Sequence, residues 1–419
     1  MVVHSLYPGT SSATLACGLQ VLVEEVPTSR SVSAGIWIRG GSRRDPDNAS
    51  GMAHAIEHLL FKGTTSRSAQ QISCEIEDVG GHINAATGKE STLVYAEAPA
   101  ESLATVLDVL ADVVLRPRLN EHDLERERGV LLEEIRSRDD DPEQCAYELF
   151  AQEIWDPPHP LGRSVLGTRE TVDGLTTATI ARRHEEEYTA ANAVLVVCGR
   201  TDITAIIDGL DHRVAKLRPG TEAACAPPAS RTVGHRFHRR PSEQSHVYLA
   251  FPAPPASAAD RFALHILNSI LGDGASSRLF QSVREERGLA YAVSSGVTQF
   301  SDTGVWTFYA GVSVENAAIV RRLIAEELEA VRSTGVTSEE IRRAKAKLRG
   351  QVVLGLESNS HRMARLGSSV VLRREILSPE SALARLDEVS PEDVAAAIES
   401  YILPESVYSA EIGPERRHP

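Results

Sequence analysis

One order of elements runs twice along this chain, once on each side of a stretch near residues 218–231. There Arg218-Pro219-Gly220 leads towards Ala226-Pro227-Pro228-Ala229, and prolines among small residues mark a chain crossing between packed units. Before it, Val32, Ala34, Ile36 and Ile38 alternate as one face of a strand. A helix is expected over 52–61, a second helical face at Ile72, Ile76 and Val79, and a strand-like run over 83–96. Leu103, Val106, Leu107, Leu110 and Val114 line one side of a helix that Pro117 ends, and a charged helix follows over 121–138. After the stretch come a strand over 246–251, a helix over 260–271 and strands over 289–300 and 305–312. A helix over 315–332 and a charged helix that starts after Thr337, a suitable N-cap, complete the repeat. The expected fold is α+β, with two related domains, each a largely antiparallel sheet with helices packed on one face. The domains are expected at 1–217 and 232–419, joined by a linker at 218–231.

Composition narrows the partners. With 44 Lys+Arg against 58 Asp+Glu the net charge is −14, so no surplus of cations exists to bind nucleic acid. The 42% hydrophobic content is enough to fill two cores. No apolar run approaches the roughly 20 residues of a membrane span, and residues 1–20 lack the pattern of a secretory signal. Cys17, Cys74, Cys145, Cys198 and Cys225 stand singly, which excludes a CxxC metal site and fits a reducing, cytoplasmic setting.

The segment Gly51–Thr64 carries the chemistry. On a helix, His54 and His58 lie four apart on one face, a spacing at which two imidazoles hold one zinc ion. Glu57 shares the stripe, so the order is His-x-x-Glu-His, the inverse of the commoner zinc motif. Ile56, Leu59, Leu60 and Phe61 would bury the helix, and polar groups turned towards a core need a partner.

A zinc site needs a further protein ligand and an open position. In the charged helix, Glu127 and Glu134 are two turns apart and share a face, with Val130 and Leu131 on or near it. Glu133 points elsewhere. Spacing alone leaves Glu127 and Glu134 both as candidates.

With these residues in place the chain resembles the inverzincin peptidases of the pitrilysin, insulin-degrading enzyme and mitochondrial processing peptidase group. It is most similar to the short-chain, processing-peptidase-like bacterial branch. The carrying motifs are His54-x-x-Glu57-His58, its tail Phe61-Lys62-Gly63-Thr64, and Glu127 with Glu134 downstream. The resemblance implies one Zn2+ per subunit, held by His54, His58 and Glu134. It implies Glu57 as general base on the zinc water and Glu127 as a supporting carboxylate. It also implies that Asn84 and Ala85, within Gly80–Thr87, lie on an edge strand where a substrate peptide adds as a further strand. Downstream, Arg284 and Tyr291 resemble the family pair that binds the substrate backbone and stabilises the oxyanion. Read without the resemblance, they are a surface Arg and a core Tyr. His265, on the helix equivalent to the zinc helix, has no Glu or His partner and is read as a packing residue.

The function so implied is a zinc-dependent endopeptidase acting on peptides or unfolded segments inside a dimeric chamber. Long members of the family hold four such domains in one chain, and this chain has two. A homodimer is the simplest expectation, and a heterodimer with a related subunit is the other. The competing reading is a non-catalytic peptide-binding or scaffold subunit of the same fold, which would show a broken metal set.

Overall fold

The computed structural model describes residues 2–415 other than 157, 216, 223, 226–229 and 374. The Pro-Pro core of the expected linker therefore lies outside the described residues. By packing, the chain forms two units. The first is Met1–Ser137, Arg163–Ala226 and Leu354–Ile376; the second is Arg138–Gly162, Pro227–Val353 and Leu377–Pro419. The expected boundary divides the sequence into halves, whereas the units exchange segments across it.

The first unit holds strands β1 (Val3–Tyr7), β2 (Thr10–Thr14), β3 (Gln20–Glu25), β4 (Ser31–Arg39), β5 (His82–Thr87), β6 (Ser91–Pro99) and β7 (Ala193–Gly199). They form one sheet in the order β1-β2-β3-β7-β4-β6-β5, antiparallel except for the β3/β7 pair. The second unit holds β8 (Gly234–Arg239), β9 (Ser245–Ala253), β10 (Ala290–Gln299), β11 (Gly304–Val312) and β12 (Tyr408–Gly413). Their order is β8-β12-β9-β11-β10, and only β8/β12 is parallel. The run β3-β7-β4-β6-β5 thus has the same order and sense as β8-β12-β9-β11-β10, so the two units share a topology.

Each sheet buries one face under helices. In the first unit Ala34, Ile36, Val94 and Leu195 meet Ile56, Leu59, Val106, Leu110 and Ile135. In the second, Val247, Leu249, Phe308 and Ala310 meet Leu264, Leu267, Val320, Ile324 and Ala397. The opposite faces are covered too, each by a helix drawn from the other half of the sequence. Met363 and Leu366 of helix Asn359–Ser368 pack on Leu22, Trp37, Val194 and Val196 of the first sheet. Phe150 of helix Pro142–Glu153 stacks on Tyr248 at 4.6 Å and Tyr408 at 5.7 Å on the second. This explains why β4 and β9 are buried almost throughout rather than at alternate positions.

The run expected over 83–96 is a hairpin, β5 and β6, closed at Gly88, where Gly88 N donates to Ser91 O at 2.8 Å. Glu90 beside the turn is buried and ion-paired to buried Arg43 at 2.6 Å. Among the described residues no helix is long and apolar enough to cross a membrane. Among the described residues no two cysteines form a disulfide.

Candidate metal centre

The motif helix is Met52–Leu60. Its first turn is held by Asp45, whose two carboxylate oxygens accept from Gly51 N at 3.0 Å and Ala53 N at 3.1 Å. Gly51 has φ 91°, and a side chain there would also strike Leu166 O at 2.6 Å, so glycine is required. Met52, Ala55, Ile56, Leu59 and Leu60 anchor the helix in the core. His54, Glu57 and His58 are left on the partly buried side.

The charged helix spans Glu121–Asp140. Leu124, Leu131 and Ile135 face inward, Glu127 is buried, and Glu133 is exposed beside Arg136. Val130 departs from the expected inward face and is 44% exposed, because the buried stripe runs through Glu127 and Leu131 instead.

The two helices bring His54, His58 and Glu134 together, with one ligand atom from each within 4.8 Å of the others. His54 Nε2 lies 3.6 Å from Glu134 Oε2, and His58 Nε2 lies 3.6 Å from Glu134 Oε1. These gaps exceed a hydrogen bond and are near the roughly 3.4 Å edge of a tetrahedron with ~2.1 Å bonds to zinc. His54 Nδ1, Glu57 Oε2 and Glu134 Oε2 are buried with no hydrogen-bond partner. An unsatisfied buried acceptor such as Glu134 Oε2 is costly, and an ion held between the two imidazoles and this carboxylate would satisfy it, so the donor set fits zinc.

Burial, and then the neighbouring His58, pushes the His54 imidazole down to about 4, which keeps it neutral. Burial also raises the Glu57 carboxyl, opposed first by a hydrogen bond from the Thr87 side chain. Glu127 Oε2 lies 3.2 Å from His58 Nδ1, and its other oxygen is 2.8 Å from Lys62 Nζ.

Asn84 and Ala85 sit on β5, the terminal strand of its sheet, and Asn84 Oδ1 accepts from Ala85 N at 2.8 Å. His82 is exposed, 3.8 Å from Glu97. Arg284 and Tyr291 lie in the second unit, with the guanidinium 5.5 Å from the Tyr291 ring. Tyr291 is 79% exposed and not a core residue, since a β-bulge between Ala290 and Ala292 turns it out of the sheet. His265 packs with its Nε2 3.2 Å from Gln299 Oε1. Sequence reasoning gave no role to Lys62, Thr87 or Asp45. Only Lys62 carried a signal, lying one helical turn beyond His58.

A His-x-x-Glu-His helix with a second helix supplying the carboxylate defines the inverted class of zinc-hydrolase sites. Residues 20–169 match the model of insulinase (peptidase family M16), and residues 174–348 match that of the peptidase M16 inactive domain. An uncharacterized zinc protease of Mycobacterium leprae is 39% identical over 396 residues, covering 93% of this chain and 88% of that protein. An uncharacterized zinc protease of Streptomyces coelicolor is 39% identical over 392 residues, covering 91% and 85%. The crystal structure of a protease from Helicobacter pylori shares the fold, with TM-score 0.90 at 24% identity over 97% of this chain and 99% of that one. The chain belongs to the M16 family of pitrilysin-like metallopeptidases.

Proposed function

We propose that this chain is a zinc-dependent endopeptidase that hydrolyses peptides or unfolded segments. The observation that carries the reading is the convergence of His54, His58 and Glu134 beside Glu57. His54, His58 and Glu134 would hold one zinc ion. Zinc, when bound, supplies Lewis acidity to the scissile carbonyl and to water. Glu57 takes the proton of the attacking water and passes it to the leaving amine. Thr87 orients Glu57 from β5, and Glu127 holds His58. The free edge of β5 at Asn84 and Ala85 would take the substrate as an added strand, so affinity comes through the main chain.

The proposal includes a dimer. Arg284 and Tyr291 are exposed donors with no chemistry of their own in the second unit. A partner subunit's metal centre would use them on the developing oxyanion. Five cysteines without a disulfide support a reducing, cytoplasmic setting.

The deciding experiment is zinc content together with hydrolysis of an unstructured peptide, for wild type and Glu57→Gln. Zinc in both proteins with hydrolysis reduced by about 10²–10⁴-fold in the variant supports the reading. A wild type that takes up no zinc and cleaves nothing overturns it in favour of a peptide-binding subunit.

A further inference from the structure

The end of the motif helix carries a cation that none of the chemistry above uses. Lys62 Nζ lies 2.8 Å from Glu127 Oε1, and Glu127 is only 9% exposed. The other oxygen of that carboxylate lies 3.2 Å from His58 Nδ1. A carboxylate held by an ammonium is an acceptor only, so His58 Nδ1 is the donor and carries the ring hydrogen. The lone pair is therefore on Nε2, the atom that faces Glu134 Oε1 at 3.6 Å. The lysine is itself anchored: its N donates to Leu59 O at 3.1 Å, and its O accepts from Arg118 Nη2 at 2.8 Å. Arg118 is in turn paired with Asp123 at 2.7 Å. His54 has no such support, since its Nδ1 is buried without a partner.

We propose that Lys62 is a positioning residue for the metal. Through Glu127 it fixes the tautomer and orientation of His58, with Nε2 turned to the ion. This inference rests on the zinc reading above. Residues that orient a ligand from behind typically alter metal affinity by about 10–100-fold.

The test is zinc affinity by competition with a chromogenic chelator. The proteins are wild type, Lys62→Met, Lys62→Arg, Glu127→Gln and the double variant Lys62→Met/Glu127→Gln. Lys62→Met should bind zinc about 10–100-fold more weakly, and Lys62→Arg should recover most of the loss. The double variant should bind no more weakly than Glu127→Gln alone, because the lysine acts through that carboxylate. Metal-free Lys62→Met should still unfold in one cooperative transition with the secondary structure of wild type, so that a loss of zinc affinity is not a loss of folding. An affinity in Lys62→Met within twofold of wild type, or additive losses in the double variant, overturns the inference and leaves the zinc reading standing. A wild type without zinc affinity overturns the zinc reading, and this inference with it.

Discussion

His54 Nε2 faces Glu134 Oε2 across 3.6 Å, joining the motif helix to a second helix far along the chain. Neither atom bonds the other, and the Glu134 oxygen is buried without a hydrogen-bond partner. Glu134→Gln keeps the volume and removes the charge. We expect it to lose zinc on dialysis against a chelator that leaves wild type loaded, a larger effect than the roughly 10–100-fold of an outer partner. Metal analysis after dialysis checks this, and a variant that keeps full zinc removes Glu134 from the ligand set.

If Arg284 and Tyr291 serve the partner's metal centre, two broken subunits should repair each other. Glu57→Gln and Tyr291→Phe should each be inactive as pure proteins. Mixed under conditions that exchange subunits, they should recover up to about a quarter of wild-type activity, the share of intact sites in a random mixture of symmetric dimers. Unchanged inactivity after proven exchange rules out sites shared in this way.

His184 makes stability depend on pH. Its Nε2 donates to Val114 O at 2.8 Å and its ring stacks on Tyr188 at 4.2 Å. Burial pushes the imidazole down to about 4. In the unfolded chain it takes up a proton near pH 6.5, and in the fold only near 4, so unfolding binds a proton between those values. Stability should fall as pH falls through that window, by at most about 1.4 kcal/mol per pH unit. His184→Gln keeps a donor and removes the titration. Denaturant unfolding of metal-free protein at pH 7.5 and 5 should show wild type losing more stability than the variant; equal losses contradict the assignment.

Gly367 lets helix Asn359–Ser368 lie close on the first sheet, for an added Cβ would meet Trp37 Cζ2 at 2.3 Å. Alanine is the better helix former by about 1 kcal/mol, so helix propensity alone predicts a gain. We expect Gly367→Ala instead to destabilise by about 1–3 kcal/mol, from the overpacked contact, with zinc affinity unchanged. A raised melting temperature would show that the contact relaxes freely.

The parts of the site that were legible in the sequence are those encoded by spacing within a single helix. His54 and His58 one turn apart, and Glu127 and Glu134 two turns apart, share faces whatever surrounds them. The choice between Glu127 and Glu134 was not legible, because it depends on how two helices meet. Val130 was misjudged for the same reason, since the axis of the buried stripe is set by tertiary packing. The Arg43–Glu90 pair was hidden because each residue alone reads as surface. The exposure of Tyr291 depends on a bulge that leaves no signature in an apolar run. Topology was legible as a repeated order, yet β3 and β7 were not, and the exchanged helices 142–153 and 359–368 reveal themselves only through the sheet faces they cover.

That exchange bears on how the protein is made. The last strand of the first sheet ends at Gly199, while the helix that covers its Leu22, Trp37, Val194 and Val196 face begins at Asn359. At about 5–20 residues per second, a nascent chain carries that face bare to water for on the order of ten seconds or more. Domain-by-domain folding from the N-terminus is thereby interrupted, and the first domain is finished by a helix made only after most of the second sheet. A truncated product ending at residue 217 would keep every metal-site side chain and still be a sticky, aggregation-prone species.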